Sequence, residues 1–341
     1  MSALESLISA TERLPLPDSL TRLGIKALVG RTARKLAHAP RGSEEQFARD
    51  MEHYPIAEHT DAANDQHYEL PPEFFVPILG PQLKYSSCLY DRGDTTLAQA
   101  EERALAETAR HADLADGQAI LELGCGWGSL SLWMARNFPR AQITAVSNSA
   151  DQRRHIESRI VAENLGNLHV ITADMNHFEP QEKFDRIVSV EMFEHMANWR
   201  GLLQRVRGWI KPEGRVFIHV FTHRSAPYRF ELDDKTDWIA QHFFTGGIMP
   251  SHTLLQHFGD LFRVEEEWSW SGEHYAKTAR DWLANYDRNQ AVIQPVLARV
   301  YGADAKLWNR RWRLFFLATE GLFGYSGCNV WGVSHYRLAP T

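Results

Sequence analysis

From residue 117 onward the apolar residues fall into short unbroken runs, separated by longer stretches in which they recur every third or fourth place. The runs at 119–123, 142–147, 168–172, 184–190 and 215–221 read as strands, and the stretches between them, Ser129 to Asn137 among them, as helices. Such alternation predicts an α/β fold, a parallel sheet with helices on both faces. Upstream, 98–112 has helical spacing. After the fifth strand the rhythm breaks. Residues 224–260 and 276–325 read as helical and rich in aromatics, whereas 262–270 and 330–338 are strand-like and would close the sheet as an antiparallel pair. Near the start, Leu4, Leu7 and Ile8 recur at helical spacing, and Leu23, Ile25, Leu28 and Val29 do so more loosely. Pro15 and Pro17 separate the two groups, so two or three short helices are expected before residue 50. The expected organisation is an N-terminal helical arm (1–60), a sheet-based core (61–223) and a helical substrate cap with the closing strands (224–341).

Composition narrows the function classes. At 44% hydrophobic and 23% charged over 341 residues, the chain has the make-up of a globular protein. Its net charge of −6 argues against a nucleic-acid partner. Cys88, Cys125 and Cys328 are too dispersed for a disulfide framework or a zinc site, so no metal is expected. No leader-like start and no bilayer-length apolar run are seen, which makes a cytoplasmic location the expectation. Arg22, Lys26, Arg31, Arg34 and Lys35 make the arm basic. They read first as a solvated helix face and second as a peripheral contact with anionic lipid. A homodimer is also carried as an expectation.

The candidate chemistry clusters at strand ends, where open parallel sheets bind ligands. Ala119 to Gly128 reads Ala-Ile-Leu-Glu-Leu-Gly-Cys-Gly-Trp-Gly. Gly124, Gly126 and Gly128 permit positive φ and close approach of a ligand to backbone. The following helix offers free N–H groups to an anionic group. The spacing G-x-G-x-G is not the G-x-G-x-x-G dinucleotide fingerprint. The second strand ends in Ser147-Asn148, with Gln152 one helical turn further on, where many nucleotide sites have an acidic residue. Asp174 and Met175 follow the third strand. The fourth leads into Val190-Glu-Met-Phe-Glu-His-Met, in which Glu191, Glu194 and His195 are spaced i, i+3, i+4 and would share a face of a helical turn. Acids beside an imidazole suit proton removal near neutral pH.

These words together resemble the S-adenosylmethionine (SAM)-dependent methyltransferases of the cyclopropane-fatty-acid-synthase-like superfamily. Within it they are most similar to the coclaurine N-methyltransferase branch. The resemblance runs from about Tyr68 to Arg337. It rests on Tyr85-Ser-Ser-Cys, Leu123-Gly-Cys-Gly-Trp-Gly-Ser-Leu, Ser147-Asn-Ser-x-x-Gln, Glu191-Met-Phe-Glu-His-Met, Phe243-Phe-Thr-Gly-Gly and His274-Tyr-Ala-Lys-Thr. It implies a Rossmann-like class I methyltransferase sheet, SAM as donor and a small cyclic or aromatic amine as acceptor. Tyr85 and Ser86 would touch the methionine part of SAM, beside Glu122 and the glycines. Ser147, Asn148 and Gln152 would serve the ribose, and Asp174, beside Met175, the adenine amino group. Glu194 and His195 would remove the proton, with Glu191 orienting the ammonium. The lipid-acting branch uses Cys, Glu, His and Tyr to hold a bicarbonate base, and Cys88, Glu194, His219 and Tyr275 match all four. Cyclopropanation or C-methylation of an unsaturated acyl chain, with bound bicarbonate, is therefore the alternative. The Ser-Asn-Ser and Phe-Phe-Thr-Gly-Gly words and Glu191 lean toward the amine. Val220 departs from the plant pattern, which tends to have a second His there. The Asn/Asp-Pro-Pro-aromatic tetrad of base-amine methyltransferases is absent after strand four.

Overall fold

The computed structural model describes residues 12, 14, 16–58, 70–230 and 237–341. The features noted at Leu4, Leu7, Ile8, Pro15 and Tyr68 lie outside the described residues. Five strands run parallel: β1 (Ala119–Leu123), β2 (Gln142–Ser147), β3 (Leu168–Thr172), β4 (Phe184–Val190) and β5 (Ile210–His223). A two-stranded hairpin pairs β6 (Tyr228–Arg229) with β7 (Ile248–Met249). The strands β8 (Phe262–Ser271) and β9 (Trp331–Pro340) complete the main sheet in the order β3-β2-β1-β4-β5-β9-β8, with β9 antiparallel to both neighbours. The chain order reverses at β1 and β4, the switch point of the sheet.

The longer helices among the described residues are α1 (Asp18–Ala37), α2 (Ser43–Asp50), α3 (Leu97–His111), α4 (Ser129–Asn137), α5 (Ala150–Glu163), α6 (Trp199–Trp209), α7 (Gly272–Arg288), α8 (Gln290–Tyr301) and α9 (Ala305–Phe323). Two hydrophobic layers sandwich the sheet. Leu121, Leu123, Ile187, Val216 and Ile218 meet Leu202, Leu203 and Val206 of α6 on one face. Ile120, Val188 and Phe217 meet Leu105 of α3 and Leu130 and Met134 of α4 on the other. Period-2 alternation within each strand sends successive side chains to opposite layers, and both are apolar because both faces are covered. The capping box of Thr96 and Gln99 sets the start of α3. A third cluster, centred on Phe74, Trp282, Trp312 and Phe316, fills the space between α7, α8 and α9.

Among the described residues the arm holds the short α2 and, before it, the 20-residue α1, whose N-cap is Pro17. The α1 helix packs on α9, with Arg22 paired to Glu320 and Arg313 to Asp18. Residues 224–260, read as helical, instead hold the β6/β7 hairpin, one turn of helix at Trp238–His242 and a 3-10 turn at Leu254–Phe258. Pro227, Pro250 and the Gly246-Gly247 pair interrupt the backbone there, and the aromatics face inward without helical period.

β9 reaches its place against β8 because Gly332 has no side chain: a Cβ there would lie 2.5 Å from the carbonyl oxygen of Trp270. Gly332→Ala is expected to cost about 1–3 kcal/mol of stability in urea unfolding, since the blocking atom is backbone.

Candidate active site

A cleft opens beyond the C-terminal ends of β1, β2 and β4. At its floor the turn after β1 holds Gly124, Gly126 and Gly128 at φ of 79°, 52° and 83°. The N–H groups of Gly124 and Cys125 both donate to the carbonyl of Val146, which ties the turn to β2. The glycines differ in purpose. A Cβ at Gly124 would lie 2.6 Å from Met192 Cγ, and one at Gly128 would lie 2.7 Å from Ile156 Cγ1, whereas one at Gly126 would meet nothing within 4 Å. The first and third therefore allow tight packing, and the second opens backbone to the cleft. Glu122 is fully buried behind the turn, accepts a hydrogen bond from the Ser131 hydroxyl, and has its pKa pushed up to about 7 by burial.

The β2 end supplies polar groups in a fixed order. Ser147 Oγ donates to Gln152 Oε1 at 2.6 Å, which orients the carboxamide and leaves Nε2 buried with no partner among the described residues. Ser149 caps α5 through the N–H of Gln152. Asp174 accepts the N–H of Asn176 at 2.7 Å, so it braces its own turn as well as lining the cleft. Tyr85, Ser86, Glu122, Gly124, Gly126, Ser147, Asn148, Gln152, Asp174 and Met175 all border the cleft; of the expected cofactor residues, Gly128 alone does not.

The opposite wall is built around Glu191, which the backbone holds at φ 47°. Its Oε2 accepts from Tyr275 OH at 2.6 Å, and its Oε1 accepts from the backbone N–H of Ser87 at 2.8 Å. His219 Nε2 lies 3.1 Å from Oε1. Burial raises the pKa of this carboxyl, and Lys84 opposes that rise. Lys84 is itself buried, donating to Ser86 Oγ at 2.5 Å and Ser87 O at 2.7 Å, and burial lowers its pKa. Cys88 is buried beside them, its Sγ donating to Ser86 O at 3.6 Å, and burial raises its pKa so that it stays a thiol. The His274-Tyr-Ala-Lys-Thr word docks this segment. His274 Nδ1 accepts from Tyr90 N at 3.2 Å, Thr278 Oγ1 accepts from Cys88 N at 3.0 Å, and Tyr275 holds Glu191.

The acid–imidazole triplet differs from the shared helical face expected. The turn begins only at Phe193, and Glu191 precedes it in the left-handed region, so Glu191 points back toward Tyr275 and His219. Glu191 and His195 border the cleft. Glu194 does not; it is 1% exposed, both its carboxyl oxygens lack a partner among the described residues, and burial raises its pKa well above the usual range. Burial lowers the pKa of His195 to about 4, and its ring stacks on Phe244 at 5.0 Å. Sequence reasoning missed Glu101, which accepts the N–H groups of Gly80, Gln82 and Lys84 from within α3, and gave no role to Lys84. A buried carboxylate on an amphipathic helix carries no sequence signal until its loop partners are known.

A buried carboxamide with a spare N–H costs stability unless a ligand oxygen takes it. A ribose hydroxyl at the Gln152 position fits, as does a nucleotide laid across the open backbone at Gly126. The family described as mycolic acid cyclopropane synthetase matches residues 57–332. The chain belongs to this family and is a SAM-dependent methyltransferase. Among curated relatives, (S)-coclaurine N-methyltransferase of Thalictrum flavum subsp. glaucum is 34% identical over 285 residues, 82% of this chain and 79% of that protein. Cyclopropane-fatty-acyl-phospholipid synthase of Escherichia coli K12 is 28% identical over 274 residues, 80% of this chain and 67% of that protein. A crystal structure of coclaurine N-methyltransferase bound to N-methylheliamine and SAH superposes with a TM-score of 0.95 at 31% identity, covering 99% of this chain and 100% of that one. The fold, the family and the donor expected from the sequence agree with these likenesses. No helix among the described residues is long and apolar enough to cross a membrane.

Two outcomes test the SAM side. Gln152→Ala is expected to weaken SAM binding by about 1–3 kcal/mol in calorimetry, the worth of a buried donor and its orienting bond. The raised pKa of Glu122 means that the ligand-free protein loses stability as pH rises from the ordinary carboxyl value of 4.5 to about 7, because the unfolded chain ionises first. Glu122→Gln removes that dependence, so denaturation of wild type and variant should diverge across this window and run parallel above it.

Proposed function

We propose that this chain N-methylates a small cyclic or aromatic amine, with Glu191 as the group that takes the amine's proton. The observation that carries this reading is the saturation of the Glu191 carboxylate. The lipid-acting alternative needs Tyr275 and His219 free to hold a bicarbonate. Here Tyr275 OH, Ser87 N and His219 Nε2 all converge on Glu191, so the chain brings its own carboxylate to the place where an external base would sit. Relatives named for N-methylation of coclaurine and pavine, at 34% and 30% identity, support the same choice.

SAM supplies a methyl group already bonded to its own leaving group. The chain's residues are left to hold the acceptor in line, strip one proton and exclude water. An aliphatic amine with a pKa near about 10 arrives protonated at neutral pH. Burial raises Glu191 above an ordinary carboxylate, which makes it a stronger base, while the cationic amine favours its ionised form. His195, held neutral by burial, presents an imidazole to the same cleft and can accept a hydrogen bond from the acceptor. Glu194, expected from sequence to share the proton step, is better read as a buried neutral acid beneath the turn. The aromatics of α7 and α9 pack mainly on one another, which makes them the body of the cap that keeps water out.

The test supplies labelled SAM with a pool of cyclic amines and, separately, with unsaturated phospholipid vesicles, each with and without bicarbonate. Label is expected in an amine, independent of bicarbonate, and Glu191→Gln is expected to lower kcat by about 10²–10⁴-fold with SAM affinity retained. Bicarbonate-dependent label in acyl chains would replace the amine reading with the lipid one.

A further inference from the structure

Lys84, Tyr85 and Ser86 border the cleft in succession, and the first of them brings a buried ammonium. That group has three N–H bonds to place. One donates to Ser86 Oγ at 2.5 Å and one to Ser87 O at 2.7 Å, and the third meets no acceptor among the described residues. Both acceptors are neutral. Glu191 and Glu101 act on the ammonium through space, while their own oxygens are taken, the first by Tyr275, Ser87 N and His219, the second by the N–H groups of Gly80, Gln82 and Lys84. A buried ammonium held by two neutral oxygens costs more than those bonds return, so stapling the loop does not account for a lysine here. Ser86 adds a second donor. Its buried Oγ is the acceptor for Lys84, so its own hydrogen turns elsewhere, and no acceptor for that hydrogen is found among the described residues.

We propose that Lys84 and Ser86 form the carboxylate-binding end of the SAM site. The Ser86 hydroxyl donates to the methionine carboxylate, and Lys84, a positioning residue, fixes that hydroxyl and supplies the opposing charge. The carboxylate is the one anionic group of SAM, and the order of the strand ends brings it here. Gln152 and Ser147, after β2, suit the ribose, and Asp174 follows β3. The sheet runs β3-β2-β1-β4, so a nucleoside with its base toward β3 sends its 5′ arm past the glycines of β1 toward β4. The methyl group on that arm must face Glu191, and Ser87 N ties the 84–87 segment to the same carboxyl. The amino-acid end of the arm therefore meets Ser86 and Lys84.

The surroundings fit an ammonium that waits for an anion. Burial lowers the pKa of Lys84, and Glu191 and Glu101 oppose that fall. A carboxylate arriving beside it adds to their effect and favours the charged form. Behind Lys84, His219 Nδ1 lies 2.8 Å from His335 Nε2, and His335 Nδ1 lies 2.7 Å from His111 Nδ1. Burial lowers the pKa of all three rings, and Lys84 adds to the fall at His219 and His335, so they bring no rival cation to the anion. A hydrogen bond to a charged carboxylate is stronger than one between neutral groups, and the same bond also orients the arm that carries the methyl group. The inference concerns the donor, which is the same whichever acceptor the chain methylates, so it stands or falls apart from the amine reading.

The experiment measures binding to the full chain by calorimetry, with no acceptor present, for three ligands: SAM, decarboxylated SAM, in which hydrogen replaces the carboxylate, and 5′-methylthioadenosine, which lacks the whole amino-acid end. The wild type is expected to prefer SAM to its decarboxylated form by about tenfold to a hundredfold. Lys84→Met should shrink that preference to about twofold or less by weakening SAM alone, and Ser86→Ala should reduce it by about tenfold. 5′-Methylthioadenosine should bind wild type and variants alike, which reports an intact nucleoside site. If the buried lysine substitution fails to fold, Ser86→Ala decides alone. A wild type indifferent to the carboxylate, or variants that keep the full preference, overturn the assignment. So does an equal loss of all three ligands, which would make Lys84 a staple of the loop and nothing more.

Discussion

One buried carboxylate holds three parts of this molecule together. Glu191 leaves the fourth strand in a left-handed conformation that costs a residue with a side chain about 1–2 kcal/mol. Its backbone N–H donates to His219 O at 2.8 Å, and its carboxyl oxygens are met by Tyr275 of α7, Ser87 of the loop before α3 and His219 of β5. Cap, entry loop and sheet therefore converge on one functional group. A charge in this position is tolerable only because donors surround it and Lys84 stands near. Those donors and Lys84 pull its pKa down, and burial outweighs them and keeps it raised, which suits the proposed role as a base.

The cleft then divides by chemistry. One wall, from Gly124 to Asp174, is backbone and uncharged or singly acidic polar groups, suited to a nucleoside. The other, from Glu191 to His195, is carboxyl and imidazole, suited to a proton and a cation. The first wall follows β1, β2 and β3 and the second follows β4, and the switch point between β1 and β4 brings them side by side. The aromatic cap adds little chemistry of its own. Its rings pack on each other, Phe74 tilted against Trp312 and Trp282 edge to face on Phe316.

Much of this was legible from the chain. The five parallel strands start and end where the apolar runs do, apart from an earlier start and later end to β5, because both faces of such a sheet are covered and demand continuous apolar sequence. The closing antiparallel pair and the helices of 276–325 were equally plain. The 224–260 segment was not, because aromatic density there serves inward packing from a hairpin and turns and mimics a helical stripe.

At the site, sequence by itself determined the glycine turn, the Ser147–Gln152 pair, and the candidates Cys88, Glu191, Glu194, His195, His219 and Tyr275, since each sits at a strand end or in a word whose spacing is local. It could not rank the two glutamates. Three residues of separation look like one helical face, and only the φ of Glu191 turns one carboxyl into the cleft and leaves the other beneath it. Nor could it join His111, His219 and His335, which lie on α3, β5 and β9. Their contact is made by strand register and by a helix packed across the sheet, and those are properties of distant segments brought together, with no trace in any one of them.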